Sequence, residues 1–462
     1  MEITMEKKKA SLTLSSLAIV LIVAFIAVGI GVFNVNIAIL LFLCWMIMWP
    51  FAAHLGYSFS EMEGFAYEMA QKCIAPAAII LAVGMMIASF MAAGTVPTIL
   101  VAGLKLITPK FFLALTFVMC CIMSVIMGTS WGTLGTVGIA MMGVGAGLGV
   151  NPAITAGAVV SGAWFGDKMS PMSDSTIMCS TITETYIMDH IKAMMQTTIP
   201  AAVVSLVIYL GIGIGISGDS YDASTVDSIM NGLKGMFHIN LIPVIPIVVV
   251  IVMILMKKGT IVSMMSGTVV AILIAVFYQG YSVADMGTFL YSGFTCETKN
   301  EILISLLNRG GMTSMLSLLA VFVGGLGLGG ILDKTGMLEP IFHYITEKYK
   351  SPRGIMLMAW CATLLCILVI ADNNFAFVMV ATLFGSAFQK YNLKSQNLSR
   401  ILEDVGTLGS ALVPWNVGAQ FAAGVLGVST LAYMPYAFLN WMTPILSLAF
   451  IILQVKIKKI EE

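Results

Sequence analysis

The sequence predicts an all-α polytopic membrane protein built as two inverted repeats, each with five membrane-crossing helices, one of them broken, plus a re-entrant hairpin. Three observations lead there. Of 462 residues, 59% are hydrophobic and only 10% charged, which places the chain in a bilayer rather than in water. Pro97, Pro109 and Pro171 recur as Pro340, Pro352 and Pro414, each 243 residues later, and Gly166 recurs as Gly409. At the same offset Gly128-Thr129-Ser130 falls on Ala371-Asp372-Asn373, so both halves interrupt apolar runs at matching places. Repeated halves with broken apolar helices are the signature of a secondary transporter.

Hydropathy assigns the first repeat to residues 1–216, with spans near 12–33, 36–56, 73–96, 152–190 and 197–216. The 12–33 run follows Lys7-Lys8-Lys9 but is too long for a signal-peptide core, so it reads as a retained helix. The 152–190 run is too long for one span and is cut at Gly166-Asp167-Lys168-Met169-Ser170-Pro171-Met172-Ser173-Asp174, because proline removes an amide donor and crowds the preceding turn. Residues 217–238, with Asp219, Asp222 and Asp227, read as an external linker. The second repeat, 239–462, places spans near 240–256, 260–278, 312–332, 395–427 and 434–455, the fourth broken around Pro414-Trp415-Asn416. Residues 111–149 and 354–390 carry polar tips at Gly128–Thr133 and Ala371–Asn374 and read as re-entrant hairpins, since free backbone at membrane depth is tolerated only beside a polar cavity; the alternative is a pair of full spans for each. Segments 58–72 and 336–351 have the mixed composition of interfacial helices.

With this topology the loops on one side hold 17 Lys and Arg residues and those on the other hold 5, which puts both termini in the cytoplasm of a cell inner (plasma) membrane. Five spans per repeat, an odd number, invert the second half relative to the first. Zero net charge implies no nucleic-acid partner. Eight cysteines without metal spacing, 35 methionines, and the glycine runs at 143–149 and 324–330 read as packing elements. No Walker A pattern and no GxSxG elbow occur, so neither an ATP-driven pump nor a hydrolase using Ser130 or Ser173 is expected, and the chain reads as no enzyme.

Charged residues inside apolar segments are expensive and need either a partner or a function. Asp174 and Asp372 have no basic neighbour in sequence and become the candidate Na+ ligands, with Thr129, Ser130, Ser173, Asn373 and Asn416 as neutral oxygen donors around them. Asp167 with Lys168, and Arg400 with Glu403 or Asp404, read as coupling groups or structural ion pairs. A carboxylate in a dry site holds H+ when Na+ is absent and releases it when Na+ supplies the neutralising charge, so one site can exchange the two. In the alternative, Na+ or H+ accompanies a small organic acid or amino acid, with Lys168 as the anion partner.

The motifs Gly128-Thr129-Ser130-Trp131-Gly132-Thr133, Gly166–Ser175, Ala371-Asp372-Asn373, Glu403-Asp404-Val405-Gly406-Thr407 and Val413-Pro414-Trp415-Asn416 together resemble the NhaC family of Na+/H+ antiporters. The resemblance implies a member of the ion-transporter superfamily, a homodimer with a scaffold and an elevator-like transport domain, and no cofactor beyond Na+ as transported or coupling ion. It also extends to relatives that exchange malate and lactate.

Overall fold

The computed structural model describes residues 7–460 apart from 34, 107, 172, 217–222, 257, 299, 301–302, 305–306, 342–343, 345–350 and 371. The architecture is helical, and the single β-bridge among the described residues joins Leu393 to Lys459. Seven helices among the described residues are long and apolar enough to cross a membrane; the bent pair Val417–Leu426 and Thr430–Tyr436, which turns by 89°, raises the number to eight. This is a multi-pass membrane protein. Val20, Ile39, Val203, Val207 and Val252 point outward where a soluble protein would carry polar groups, as a lipid-facing belt requires.

The expected spans form where apolar runs are capped. Leu12–Gly31 starts behind Ser11, whose side chain accepts from Leu14 N, and Ile37–His54 starts behind Asn36. The 58–72 segment folds as Phe59–Ala70 under a Ser58/Glu61 capping box and continues through a 3-10 turn into Ile74–Ala92. Three helices fall where no span was expected: Thr95–Leu106, Val283–Ser292, and Ala223–Met236 within the linker. The rest of that linker, 217–222, and half of the expected 336–351 helix lie outside the described residues. Ile187–Ile216 is one helix of 30 residues, so the expected boundary between 190 and 197 is absent.

All four interruptions are present. Pro109–Met127 ends at Gly128, whose φ of 66° needs a residue without a side chain, and the chain restarts at Ser130. Pro152–Met169 stops before Pro171 and restarts as Asp174–Ile182. In the second half Pro352–Val369 is followed by Asn373–Lys390, and the helical run from Ser395 to Ser410 by Val417–Leu426. The helix starts Pro109, Ser130, Pro152 and Asp174 match Pro352, Asn373, Ser395 and Val417 at the offset of the prolines. Pro109–Met127 and Pro352–Val369 are each long enough to span a bilayer alone, a length the hairpin expectation did not include.

The halves are interleaved. Trp45 Nε1 donates to Gly324 O (2.9 Å), Thr95 Oγ1 to Pro243 O (2.5 Å), and Gly311 N to Gly84 O (2.7 Å). One apolar core gathers Phe90, Phe112 and Trp164 with Phe322 and Phe421; a second joins Leu41 and Met48 to Phe377 and Phe384. The glycine runs serve packing, as their composition predicts: a Cβ on Gly145 would press on Thr155 and Phe112, and one on Gly330 would meet the Phe65 carbonyl.

The tightest crossing sets Pro152–Met169 against Pro109–Met127. A Cβ on Gly162 would lie 2.6 Å from Phe117 O, and one on Gly166 would overlap the backbone nitrogen of Val125. Backbone cannot move aside as a side-chain tip can. Gly166→Ala is therefore expected to separate the two helices and cost about 3 kcal/mol. Gly409→Ala, which meets only the end of Ile367 at 2.9 Å, is expected to be much milder. Thermal-stability profiles of the two purified variants by size-exclusion chromatography check this, and equal midpoints would refute it.

Candidate ion-binding site

The four interruptions meet. A cavity of ≈ 240 Å³ is lined by Gly128–Trp131 from one tip, Asp372–Asn374 from the other, Asp167, Asp174 and Ser175 from the first break, and Thr407, Ser410, Val417 and Gly418 from the second. Trp131 stacks on Phe421 (centroids 4.2 Å apart, planes at 14°), so an aromatic pair joins the two halves at the rim. Four helix starts face this space, with Thr129, Ser173, Asp372 and Asn416 in the cap positions.

Asp167 is the best-held carboxylate on the wall. Ser130 Oγ donates to its Oδ2 and Ser173 Oγ to its Oδ1, both at 2.7 Å, so one carboxylate ties the first tip to the first break. Thr176 Oγ1 reaches the Asp167 and Lys168 carbonyls at 3.1 and 3.0 Å, taking up acceptors that the broken helix leaves free. Asp174 lines the same cavity but is exposed. Asp372 is half-buried, and its Oδ1 accepts from Asn374 N at 3.0 Å, an ordinary cap bond. Asn416 is fully buried with Oδ1 accepting from Gly418 N (3.0 Å), and its Nδ2 has no partner.

The expected ion pairs are rearranged. Lys168 is fully buried and pairs with Asp404 from the other half, not with Asp167. Adjacent residues on a helix point to different faces, so Asp167 can look into the cavity while Lys168 looks behind it. Arg400 approaches Asp404 (Nε to Oδ2 4.0 Å), its neighbour at i+4, and the Arg400–Glu403 pairing is not formed. Asp404 also accepts from Thr197 Oγ1 at 2.8 Å. Glu403 is fully buried, accepts from Thr407 Oγ1, and leaves Oε1 without a donor. Lys168, Glu403 and Asp404 thus form a dry polar layer one residue behind the cavity wall.

Electrostatically, the described lining holds three carboxylates, Asp167, Asp174 and Asp372, and no Lys, Arg or His. No three Asp, Glu, His or Cys side chains among the described residues are close enough to share one metal ion, so an ion here would take hydroxyl and carbonyl oxygens as well. Sequence reasoning missed Trp164, Ser410, Ala75, Pro76 and Ile79 on the wall and Thr197 behind it. Trp164 stands one turn before Asp167 and could have been found by helical spacing. The 75–79 segment lies in an unremarkable apolar span and carries no local signal.

A profile of the Na+/H+ antiporter family matches residues 3–184 and 162–455. The chain is 33% identical over 446 residues to the Na+/H+ antiporter NhaC of Alkalihalophilus pseudofirmus, covering 96% of both chains. It is 34% identical over 409 residues to the malate-2H+/Na+-lactate antiporter of Bacillus subtilis, covering 88% of this chain and 87% of that one. It is also 32% identical over 394 residues to the arginine/ornithine antiporter ArcD of Halobacterium salinarum, covering 85% and 81%. With both halves matched and a carboxylate-lined cavity between them, the chain belongs to the Na+/H+ antiporter family and is a secondary active antiporter.

Proposed function

We propose that the chain exchanges Na+ for H+, with Na+ bound at Asp167. The carrying observation is the cavity wall: three carboxylates face it, no Lys, Arg or His is among its described lining residues, and Lys168 is already committed to Asp404. Na+ sits beside Asp167 with the oxygens of Ser130 and Ser173, and Thr129, Asp372, Asn373 and Asp174 complete the polar surround. Glu403, held by Thr407 on the wall and short of one donor, carries the proton when Na+ leaves. Asn416 and Asp404 position the second break and the polar layer.

Around this site the halves 1–216 and 239–462 act as inverted repeats across the 217–238 linker, with the tips 128–133 and 372–374 reaching it as re-entrant hairpins. A homodimer in the plasma membrane, with elevator-type movement of the cavity-bearing part against the remaining helices, suits two interleaved cores. Both termini face the cytoplasm. Single cysteines at Lys8 and Lys458 are then expected to react with an impermeant thiol reagent only from inside; labelling of the two from opposite faces would overturn this topology.

A second reading draws on the four helix starts at the cavity, whose amides suit a substrate carboxylate, and on the relative named for malate and lactate. Purified protein in proteoliposomes separates the two. A Na+ pulse against a pH gradient moves protons without any organic solute on the first reading. If proton movement requires malate, lactate or an amino acid, the second replaces it.

A further inference from the structure

A second cavity, of ≈ 390 Å³, lies between Ile187–Ile216, Ser395–Ile401 and the C-terminal tail and shares no lining residue with the ion site. Its wall carries Lys192, Lys394, Lys456, Lys458 and Arg400 against a single acid, Asp189, which sits 3.9 Å from Lys192 Nζ. The tail that brings two of these lysines is fastened by its backbone. Asn397 Nδ2 donates to Lys458 O (2.7 Å), Lys458 N to Asn397 Oδ1 (3.0 Å), Lys394 N to Lys458 O (3.1 Å), and Ile460 N to Asn392 O (2.9 Å). At the floor, Arg400 is 1% exposed; its Nη1 donates to Gln196 Oε1 (3.2 Å) and Lys456 O (3.1 Å), while Nε and Nη2 find no hydrogen-bond acceptor.

The exposed lysines repel one another weakly through water, but the buried guanidinium keeps idle donors, and an anion among these groups relieves both costs. We propose that this cavity binds a phosphate-bearing anion. A phosphate group, free or in a lipid headgroup, brings negative charge on acceptor oxygens that point in several directions, which suits separated ammonium groups above a guanidinium better than the two coplanar oxygens of a carboxylate. Arg400 is also one helical turn from Asp404, the partner of Lys168, so the anion draws the guanidinium toward the tail and away from the polar layer behind Asp167. That last coupling rests on the transport reading above; the binding does not.

The test uses the full-length purified chain, wild type and Lys456→Gln/Lys458→Gln, with Lys8→Gln/Lys9→Gln as a control that removes the same charge elsewhere. One arm titrates inorganic phosphate into detergent-solubilised protein by calorimetry, with sodium chloride at matched ionic strength as the reference. The other compares melting temperatures in nanodiscs of phosphatidylcholine alone and with phosphatidylglycerol added. The expected result is binding, or a rise in melting temperature, in the wild type and the control, weakened at least tenfold in the tail variant. A response to inorganic phosphate identifies a soluble ligand, and one to phosphatidylglycerol alone a lipid headgroup. No response in either arm, or an equal response in the tail variant, overturns the proposal. Failure of Na+-driven proton movement with phosphate binding intact would instead count against the transport reading.

Discussion

Asp167→Asn is expected to abolish Na+-driven proton movement while leaving the protein folded. A cation about 4 Å from a carboxylate at an effective dielectric near 20 gains about 4 kcal/mol, and losing that charge corresponds to roughly a thousandfold in affinity. The amide keeps one acceptor and gains a donor, so it can still meet Ser130 on one side and Ser173 on the other, where Asp167 now accepts from both. Neutralising a half-buried group also removes a desolvation cost, and the melting temperature should change little. Asp174→Asn is expected to cost less than tenfold, because that carboxylate is exposed and water screens it. Glu403→Gln should keep Na+ binding and lose the coupled proton. Proton flux with a pH-sensitive dye, alongside Na+ binding to each purified variant, distinguishes the three. Wild-type exchange in Asp167→Asn with an inactive Asp174→Asn would move the ion to Asp174.

The second large effect is structural and asymmetric. Breaking a buried ion pair by removing one member costs about 3–5 kcal/mol, since the survivor remains dry and uncompensated. Lys168→Met leaves Asp404 with Thr197 and with Arg400 nearby, so the lower end of that range is expected. Asp404→Asn strands Lys168 and removes the nearest counter-charge of Arg400 together, and should exceed it. The double variant Lys168→Met/Asp404→Leu should recover much of the loss, because two apolar groups in that layer are cheaper than one unpaired charge. Melting temperatures in detergent provide the measure. Equal losses for the two single variants, with no recovery in the double, would show that the layer is not governed by this pair.

The polar network also explains where sequence reading stopped. Adjacency in the sequence suggests a structural pair of Asp167 with Lys168 as one of two readings, but neighbouring positions on a helix do not face each other. Lys168 instead reaches a residue 236 positions later, a distance over which local pattern carries no information. The assignment of Arg400 was half legible: its i+4 contact with Asp404 follows helical spacing, whereas choosing Asp404 over Glu403 depends on how the π-helical turn Leu402–Thr407 rotates the chain.

What the sequence determined by itself is the membrane class, the four breaks and their pairing across the halves. These follow from local causes: apolar runs that only a bilayer satisfies, prolines that remove amide donors, and cap residues that restart helices. A glycine, two prolines and a constant spacing are enough to place Gly128, Pro171 and Pro414, and the structure starts helices at the matching positions. What only the tertiary structure decided is which carboxylate faces the cavity, which is consumed by a buried cation, and which serves as a cap. Asp167, Asp404 and Asp372 are the same side chain in one dimension. Their different situations arise from what packs against them: Ser130 from the first tip on one, Lys168 from the other half on another, and the local backbone amide of Asn374 on the third.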